Sequence, residues 1–104
     1  MSSDKQNLSK ITKEIVIMAA SKATYNVAGV NQENGIRLSR DKEGVIIDIH
    51  ATADFGIKIP QLAWDIQNSV KEAVQNLTQQ TVKAVNIHIQ GVMLPREESK
   101  KFNE

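Results

Sequence analysis

Residues 55–92, FGIKIPQLAWDIQNSVKEAVQNLTQQTVKAVNIHIQGV, decide the fold of this 104-residue chain. A bend at Phe55-Gly56 leads to Pro60, which suits the first turn of a helix because its missing N–H would have no partner there. A strand with alternating apolar residues closes the stretch. Three structural signals that agree in order indicate a folded core. The stretch pairs no nucleophile with a base and clusters no metal ligands, so it does not indicate a catalytic site.

A predicted helix that begins at Pro60 carries one apolar stripe. The stripe covers about a third of the helical wheel, which predicts that this face packs on a sheet. Trp64 projects about 100° or more from the centre of the stripe, alongside Gln67, Asn68 and Lys71, and should lie off the core. At Trp64 the ring either folds over its neighbours at the core edge or, with these three residues, forms a patch that binds a protein partner. The stripe consists of Leu62, Ala63, Ile66, Val70, Ala73, Val74 and Leu77.

Two strands that precede this helix form a predicted β-hairpin. Residues 36–40 and 45–52 alternate apolar with polar positions, and the turn Asp41–Gly44 separates them. Successive side chains of a strand point to opposite faces of the sheet, so each strand has one face expected to be core. The last strand, residues 82–90, alternates in the same way. The predicted inward residues are Val45, Ile47, Ile49 and Ala51 in the hairpin and Val85, Ile87 and Ile89 in the last strand.

The opposite faces of the same strands are polar. Asp48, His50, Asn86 and His88 would converge there if the two strands pair, and two histidines near a carboxylate could bind zinc. Such a set lacks further ligands and a supporting shell, so a solvated sheet face is the favoured interpretation. A histidine–aspartate pair for acid–base catalysis would lack a nucleophile and a pocket. We therefore predict no metal, no cofactor and no catalytic residue.

The N-terminal part of the chain predicts a helix with an alanine-rich face. Thr12 is the expected N-cap, and the apolar pattern continues to Val27. Gly29 suits the left-handed residue that ends a helix. Residues 31–35, NQENG, are types that favour turns, so a turn is expected between this helix and the hairpin.

Composition indicates one small domain without a membrane span. Lys and Arg, 13 together, nearly balance 12 Asp and Glu, so no strong field would attract nucleic acid or an anionic bilayer. Cysteine is absent, which excludes disulfides and Cys-type zinc sites and is typical of a reducing compartment. No stretch approaches the roughly 18 apolar residues that a spanning helix needs.

These patterns together predict an α/β domain of the α+β type. The expected order is α-β-β-α-β, with a three-stranded sheet and two helices packed on one face. The domain should cover residues 11–92, between a disordered leader, residues 1–10, and a charged flexible tail, residues 93–104. Edge pairing through the hairpin strand, residues 36–40, offers a route to a homo-oligomer.

This order of elements resembles that of the alkaline shock protein family. The resemblance covers about residues 11–92, and it is carried by VAGV (27–30), DFGIKIPQLAWDIQNSVKEAV (54–74) and VNIHIQGV (85–92). The chain differs from many members in its short segment at residues 31–35 and in lacking a glycine after the second helix. Trp64 is also not a residue we associate with the family at this position.

The resemblance implies a non-enzymatic, cytoplasmic protein of the general-stress and cell-envelope response, a class found chiefly in Gram-positive bacteria. Such a protein would self-associate and be recruited to the membrane by a small membrane-anchored partner, with links to lipid homeostasis. An alternative is a regulator of lipid metabolism that binds an acyl or other small ligand in a cleft between helices and sheet. An RNA-binding module is less favoured, because the predicted sheet lacks stacking aromatics, no GXXG loop is present and the charge is balanced.

Overall fold

The computed structural model describes residues 8–94. The described chain contains helix α1 (Lys10–Tyr25), strands β1 (Val30–Asp41) and β2 (Gly44–Asp54), helix α2 (Ile59–Thr78) and strand β3 (Val82–Met93). This confirms the predicted order and the α+β class. The predicted leader and tail fall largely on residues 1–7 and 95–104, which lie outside the described residues.

The domain has two layers. The two helices form one layer, and one mixed sheet in the order β1-β2-β3 forms the other. A two-residue turn joins β1 to β2 in an antiparallel pair, as the hairpin pattern predicts. β3 pairs with β2 in parallel, because α2 carries the chain back across the sheet between them. β2 is therefore the central strand, and β1 and β3 are the two edges.

The core lies between the helices and one face of the sheet. Every predicted inward residue of β2 is fully buried, and Val85 of β3 is nearly so, while Ile87 and Ile89 are partly buried against the core. The two helices pack on each other as well, and the Ser69 hydroxyl of α2 donates a hydrogen bond of 3.1 Å to the Ala23 carbonyl of α1. The buried helix residues are Val16, Ala19, Ala20, Ala23 and Thr24 in α1 and Leu62, Ile66, Val70 and Val74 in α2.

Helix α1 differs from its prediction at both ends. It begins at Lys10, because the Ser9 hydroxyl rather than that of Thr12 caps it and accepts a hydrogen bond of 3.0 Å from the Thr12 N–H. It ends at Tyr25, so Gly29 lies beyond the helix terminus and the predicted cap is wrong. Gly29 instead turns the chain into β1 with φ +103°, and a Cβ there would lie 3.2 Å from side-chain atoms of Ile57.

The predicted turn at residues 31–35 is wrong, because β1 already begins at Val30. Two irregularities in the β1–β2 register place Asn31 and Asn34 as extra residues. Each asparagine side chain reaches to the neighbouring strand: Asn34 Nδ2 donates to Thr52 Oγ1 at 2.8 Å, and Asn31 Nδ2 donates to an Asp54 carboxylate oxygen at 3.2 Å. The residue types that favour turns here form β-bulges, which absorb one extra residue each.

Helix α2 follows the predicted stripe except at its last member. Leu77 is 62% exposed, although it lies on the same side as the buried residues. Pro60 is the second residue of the helix rather than the first, since α2 begins at Ile59. The helix ends with Gln79 in the left-handed conformation, φ 61°, and its N–H donates to the Gln75 carbonyl at 3.0 Å.

Candidate functional site

The sheet face opposite the helices brings together the four polar residues that the sequence placed there. The β2–β3 register sets Asp48 beside Asn86 and His50 beside His88. Asn86 Nδ2 donates to Asp48 Oδ1 at 3.0 Å, and His88 Nε2 lies 3.5 Å from the same oxygen. Both pairs arise because the strands are parallel and in register, so residues of equal parity share a face.

The two histidine rings stack on each other rather than converging on a common point. Their centroids are 4.6 Å apart and their planes differ by 18°. Gln90 Nε2 lies 3.2 Å from His50 Nδ1, and Asn34 Nδ2 donates to Gln90 Oε1 at 3.1 Å. One hydrogen-bonded chain of polar side chains therefore crosses all three strands.

This polar face holds no preformed metal site. No group of three or more His, Cys, Asp or Glu residues within 8–94 has the arrangement to hold a metal ion. In addition, the ring nitrogens of His50 and His88 lie near Gln90 and Asp48 respectively. The polar side chains of this face are instead engaged in hydrogen bonds with one another.

The surface around Trp64 forms the second candidate site. The Trp64 side chain is 61% exposed, so it lies outside the core as its position on the helical wheel predicts. Asn68 and Lys71 are exposed on the same side of α2, and Asn68 Nδ2 donates to the Trp64 carbonyl at 3.0 Å. A shallow polar groove of about 350 Å³ includes Asn68 and Lys71 in its lining. The structure thus places an exposed aromatic ring beside a cation and an amide.

Gln67 stands apart from the other three residues of the predicted partner patch. It is half-buried, and its Nε2 donates a hydrogen bond of 2.9 Å to the Val85 carbonyl at the outer edge of β3. Gln75, two turns later, accepts from the Val82 N–H at 3.1 Å. These two glutamines fasten α2 to the edge strand, so the accessible patch consists of Trp64, Asn68 and Lys71.

A groove between α1 and α2 has a volume of about 410 Å³. Its floor includes Ala19, Ala23 and Ala73, whose small side chains leave space between the helices. Leu77, Lys22 and Glu72 also line it. All of the lining residues belong to the helices or to the cap of α1, so this groove is not the predicted cleft between helices and sheet.

Charged side chains gather at the hairpin turn. Lys83 at the start of β3 pairs with the Asp41 carboxylate and lies 3.4 Å from Glu43 Oε1. The Lys83 ammonium, followed by the Glu43 backbone N–H, holds the pKa of Asp41 below its ordinary value. The same two carboxylates, Asp41 first, raise the pKa of Lys83. This cluster links the hairpin turn to the start of β3. The other residues of β3 include no lysine, arginine, aspartate or glutamate.

Comparison with known sequences identifies the family. Residues 14–94 match the alkaline shock protein 23 family, which is described as having a cell envelope-related function. The chain belongs to this family. The resemblance carried by residues 27–30, 54–74 and 85–92 is thereby confirmed.

Relatives of this alkaline shock protein family member occur in Gram-positive bacteria. Uncharacterized protein YqhY of Bacillus subtilis (strain 168) is 30% identical over 63 residues, 61% of this chain and 47% of that protein. Uncharacterized protein Spy1535 of Streptococcus pyogenes serotype M6 is 32% identical over 71 residues, 67% of this chain and 54% of that protein. The chain spans about half the length of these two relatives. Uncharacterized protein YloU of Bacillus subtilis is 26% identical and is covered over 85% of its length.

Among solved structures, the MamM CTD shares the fold of this family member. The superposition has a TM-score of 0.56 at 19% sequence identity and covers 76% of this chain and 96% of that one. At this identity the similarity concerns the fold alone. Neither helix of residues 8–94 combines the length and the apolar character needed to cross a bilayer.

Strand parity already places Gln90 on the polar face of this alkaline shock protein family domain with Asn86 and His88, but sequence reasoning missed the contribution of Asn34. Asn34 joins the polar face as an extra residue in the β1–β2 register, and its Nδ2 donates to Gln90 Oε1 at 3.1 Å. The sequence does contain a signal that the edge of β3 is unprotected. Residues 84–94 contain no Asp, Glu, Lys, Arg or Pro, the residues that usually protect an edge strand from pairing.

Proposed function

We propose that this chain is a non-enzymatic interaction protein of the cell-envelope stress response. It self-associates in the cytoplasm and is recruited to the membrane by a membrane-anchored protein that binds the surface around Trp64. The cell envelope-related function of the family supports the cellular context. The observation that carries the binding surface is the exposure of Trp64, at 61%, on a rigid helix.

An exposed tryptophan on a helix is a suitable anchor for a protein contact. Tryptophan buries about 150–250 Å² in an interface and is enriched among the residues that dominate binding energy. Lys71 and Asn68 beside it can pair with an acidic or amide group at the rim of the contact.

Sedimentation with inverted membrane vesicles from a Gram-positive host tests the proposal. The full chain is expected to co-sediment with untreated vesicles but not with vesicles stripped by protease or with protein-free lipid vesicles of the same composition. Equal binding to protein-free vesicles would show direct lipid binding, and no binding to any vesicle would show that recruitment does not occur. Both outcomes contradict the proposal.

A matched pair of variants locates the surface. Trp64→Ala is expected to weaken the co-sedimentation at least tenfold, because it removes the aromatic anchor. Leu77→Ala removes an equally exposed apolar side chain from the same helix, 62% against 61%, and is expected to leave binding unchanged. If the two variants bind alike, the Trp64 surface is not the partner site.

A second candidate function, binding of an acyl or other small ligand that regulates lipid metabolism, is favoured by the groove between α1 and α2. Its alanine floor and the Lys22 ammonium at its side suit an acyl chain with a carboxylate head. Native mass spectrometry of the protein purified from its host tests this function. A co-purifying ligand that is lost in Ala73→Phe, which fills the groove, would support it; an unliganded mass would exclude it.

A further inference from the structure

The outer edge of β3 pairs with no other strand of residues 8–94. We propose that residues 86–93 pair with the same residues of a second copy of this chain, antiparallel and about a two-fold axis, to form a continuous six-stranded sheet. This inference rests on the self-association in the proposed function and assigns the surface that performs it.

The other edge, β1, which the sequence offered through residues 36–40 as a route to assembly, carries several features that disfavour pairing. Its residues include Glu33, Arg37, Arg40 and Asp41, so charged side chains follow the strand along its length. Two bulges, at Asn31 and Asn34, break its regularity. The Tyr25 hydroxyl of α1 accepts the Glu33 N–H at 3.0 Å, which occupies one outward backbone group. Charges, bulges and covering groups are the means by which edge strands avoid pairing with another chain.

β3 also has two irregularities, at Lys83 and Gln90, and Gln75 covers its first N–H, but the stretch 86–89 between them is regular and uncovered. Residues 84–94 contain no acidic side chain, lysine, arginine or proline. Gln67 occupies the outward Val85 carbonyl, which shows which backbone groups face away from β2. Because these groups alternate along a strand, the N–H and C=O of Ile87 and Ile89 also point outward. No side chain within 8–94 hydrogen-bonds to them, so they form an open ladder.

Gly91 lies at an irregularity of β3, where the pairing with β2 skips Gln90. A Cβ at this position would meet no atom within 4 Å, and its φ lies outside the left-handed range that favours glycine. Glycine in a strand costs roughly 0.5–1 kcal/mol relative to alanine and often marks a bulge or the close approach of another backbone. The bulge accounts for a glycine here, and the open space beside it leaves room for the backbone of a paired strand.

The absence of charge suits a second copy of β3 as the paired strand. An edge without charge meets itself without like-charge repulsion, whereas a charged partner strand would find no opposite charge along residues 84–94. Lys83 is the one charged residue of β3 and is held by Asp41 and Glu43 at the far end of the strand. Val92, Met93 and Leu94 are exposed apolar residues that extend the contact beyond the backbone ladder.

Sedimentation velocity over a range of concentrations tests the edge. The wild-type chain is expected to dimerise, and a variant with Gln90→Lys and Gly91→Lys to dimerise at least tenfold more weakly, because four added charges meet across the two-fold axis. Both positions are exposed, so circular dichroism is expected to show an unchanged fold. The matched control is Gln32→Lys with Ser39→Lys, which adds the same charge to exposed positions of β1.

Charge reversal and hydrogen exchange complete the test. Gln90→Glu with Gly91→Glu is expected to be monomeric alone and to restore dimers when mixed with the lysine variant. In the wild-type chain, the amides of Ile87 and Ile89 should exchange slowly at concentrations that give dimers and at least tenfold faster on dilution. The amide of Ile47, inside the sheet, should not change.

Two results would overturn the inference, and they differ in what else they contradict. A wild-type chain that stays monomeric at every concentration contradicts both the inference and the self-association of the proposed function. Dimers that persist in the β3 lysine variant, or that dissociate only in the β1 control, contradict the inference alone and assign self-association to another surface.

Discussion

His50 and His88 stack with their ring centroids 4.6 Å apart, on adjacent strands of the exposed sheet face. The parallel register of β2 and β3 sets the two residues side by side, with Gln90 near Nδ1 of His50 and Asp48 near Nε2 of His88. The stack therefore has both a packing contact and polar partners that orient it. The stack is a side-chain contact between the central strand β2 and the edge strand β3, and it lies on the exposed face of the sheet.

The stacked rings are expected to contribute modestly to stability. Cross-strand pairs contribute about 0.2–1 kcal/mol relative to alanine pairs. A double-mutant cycle with His50→Ala and His88→Ala, measured by urea denaturation at neutral pH, should give a coupling free energy in this range. A coupling of zero would show that the rings pack independently in solution.

Gly29 and Gly91 are expected to respond oppositely to alanine. Gly29→Ala should destabilise the fold by about 1–3 kcal/mol, because φ +103° is strained for alanine. The Cβ must also be accommodated 3.2 Å from Ile57 and Leu62. Gly91→Ala, with open space and ordinary φ, should be neutral or slightly stabilising in dilute, monomeric protein. Thermal denaturation of both variants at low concentration checks the difference, and equal losses would contradict it.

The central strand and the end of α2 provide a second matched pair. Ile47→Ala should lower the free energy of unfolding by about 2–5 kcal/mol, because it opens a cavity at a fully buried position. That is a large part of the roughly 5–15 kcal/mol typical of a domain. Leu77→Ala should change stability by less than about 0.5 kcal/mol, since Leu77 is mostly exposed. Chemical denaturation measures both, and a large loss for Leu77→Ala would show that this residue packs in solution.

Leu77 also shows what helical periodicity can and cannot predict. Period-3.6 spacing correctly assigned Leu62, Ile66, Val70 and Val74 to the core, because it reports which side of a helix is apolar. It does not report how far along the helix the neighbouring elements extend. α2 has 20 residues and α1 has 16, so the last turn of α2 can project past the packed layer.

Strand parity was predictable for a similar reason, whereas the bulges were not. Ile47 and Ile49 alternate strictly with Asp48 and His50, so only one register buries the apolar set. At residues 31–35 the same polar and glycine residues suit a turn or a bulge, and the choice depends on pairing with β2. Local sequence does not contain that pairing.

The polar site was predictable in membership and not in geometry. Parity alone places Asp48, His50, Asn86 and His88 on one face if β2 and β3 pair. Whether the histidines converge on a metal or stack depends on rotamers and on register shifts that also bring Gln90 beside His50. These are tertiary effects, so the sequence places the two histidines on one face but does not predict that their rings stack.

The ion pair of Asp41 and Lys83 predicts a pH dependence with a definite sign. The Lys83 ammonium lowers the pKa of Asp41 below its unfolded value, so the associated stabilisation is present above the unfolded pKa and is lost as the pH falls through the folded pKa. The loss of stability on the acid side is therefore expected below about pH 4. The raised pKa of Lys83 gives stabilisation that is present below the unfolded lysine pKa and is lost as the pH rises through the folded pKa.

Replacing Lys83 tests both limbs of this dependence. In Lys83→Met, the pKa of the Asp41 carboxyl, followed by NMR, should rise toward its ordinary value, although the Glu43 N–H still donates to it at 2.8 Å. The loss of stability below about pH 4 should be shallower than in wild type, and the alkaline loss should disappear. Lys42→Met removes a neighbouring cation that makes no contact with Asp41 in the ion-pair cluster and serves as the control. An equal rise of the Asp41 pKa in both variants would mean that general charge, rather than the Lys83 contact, sets it.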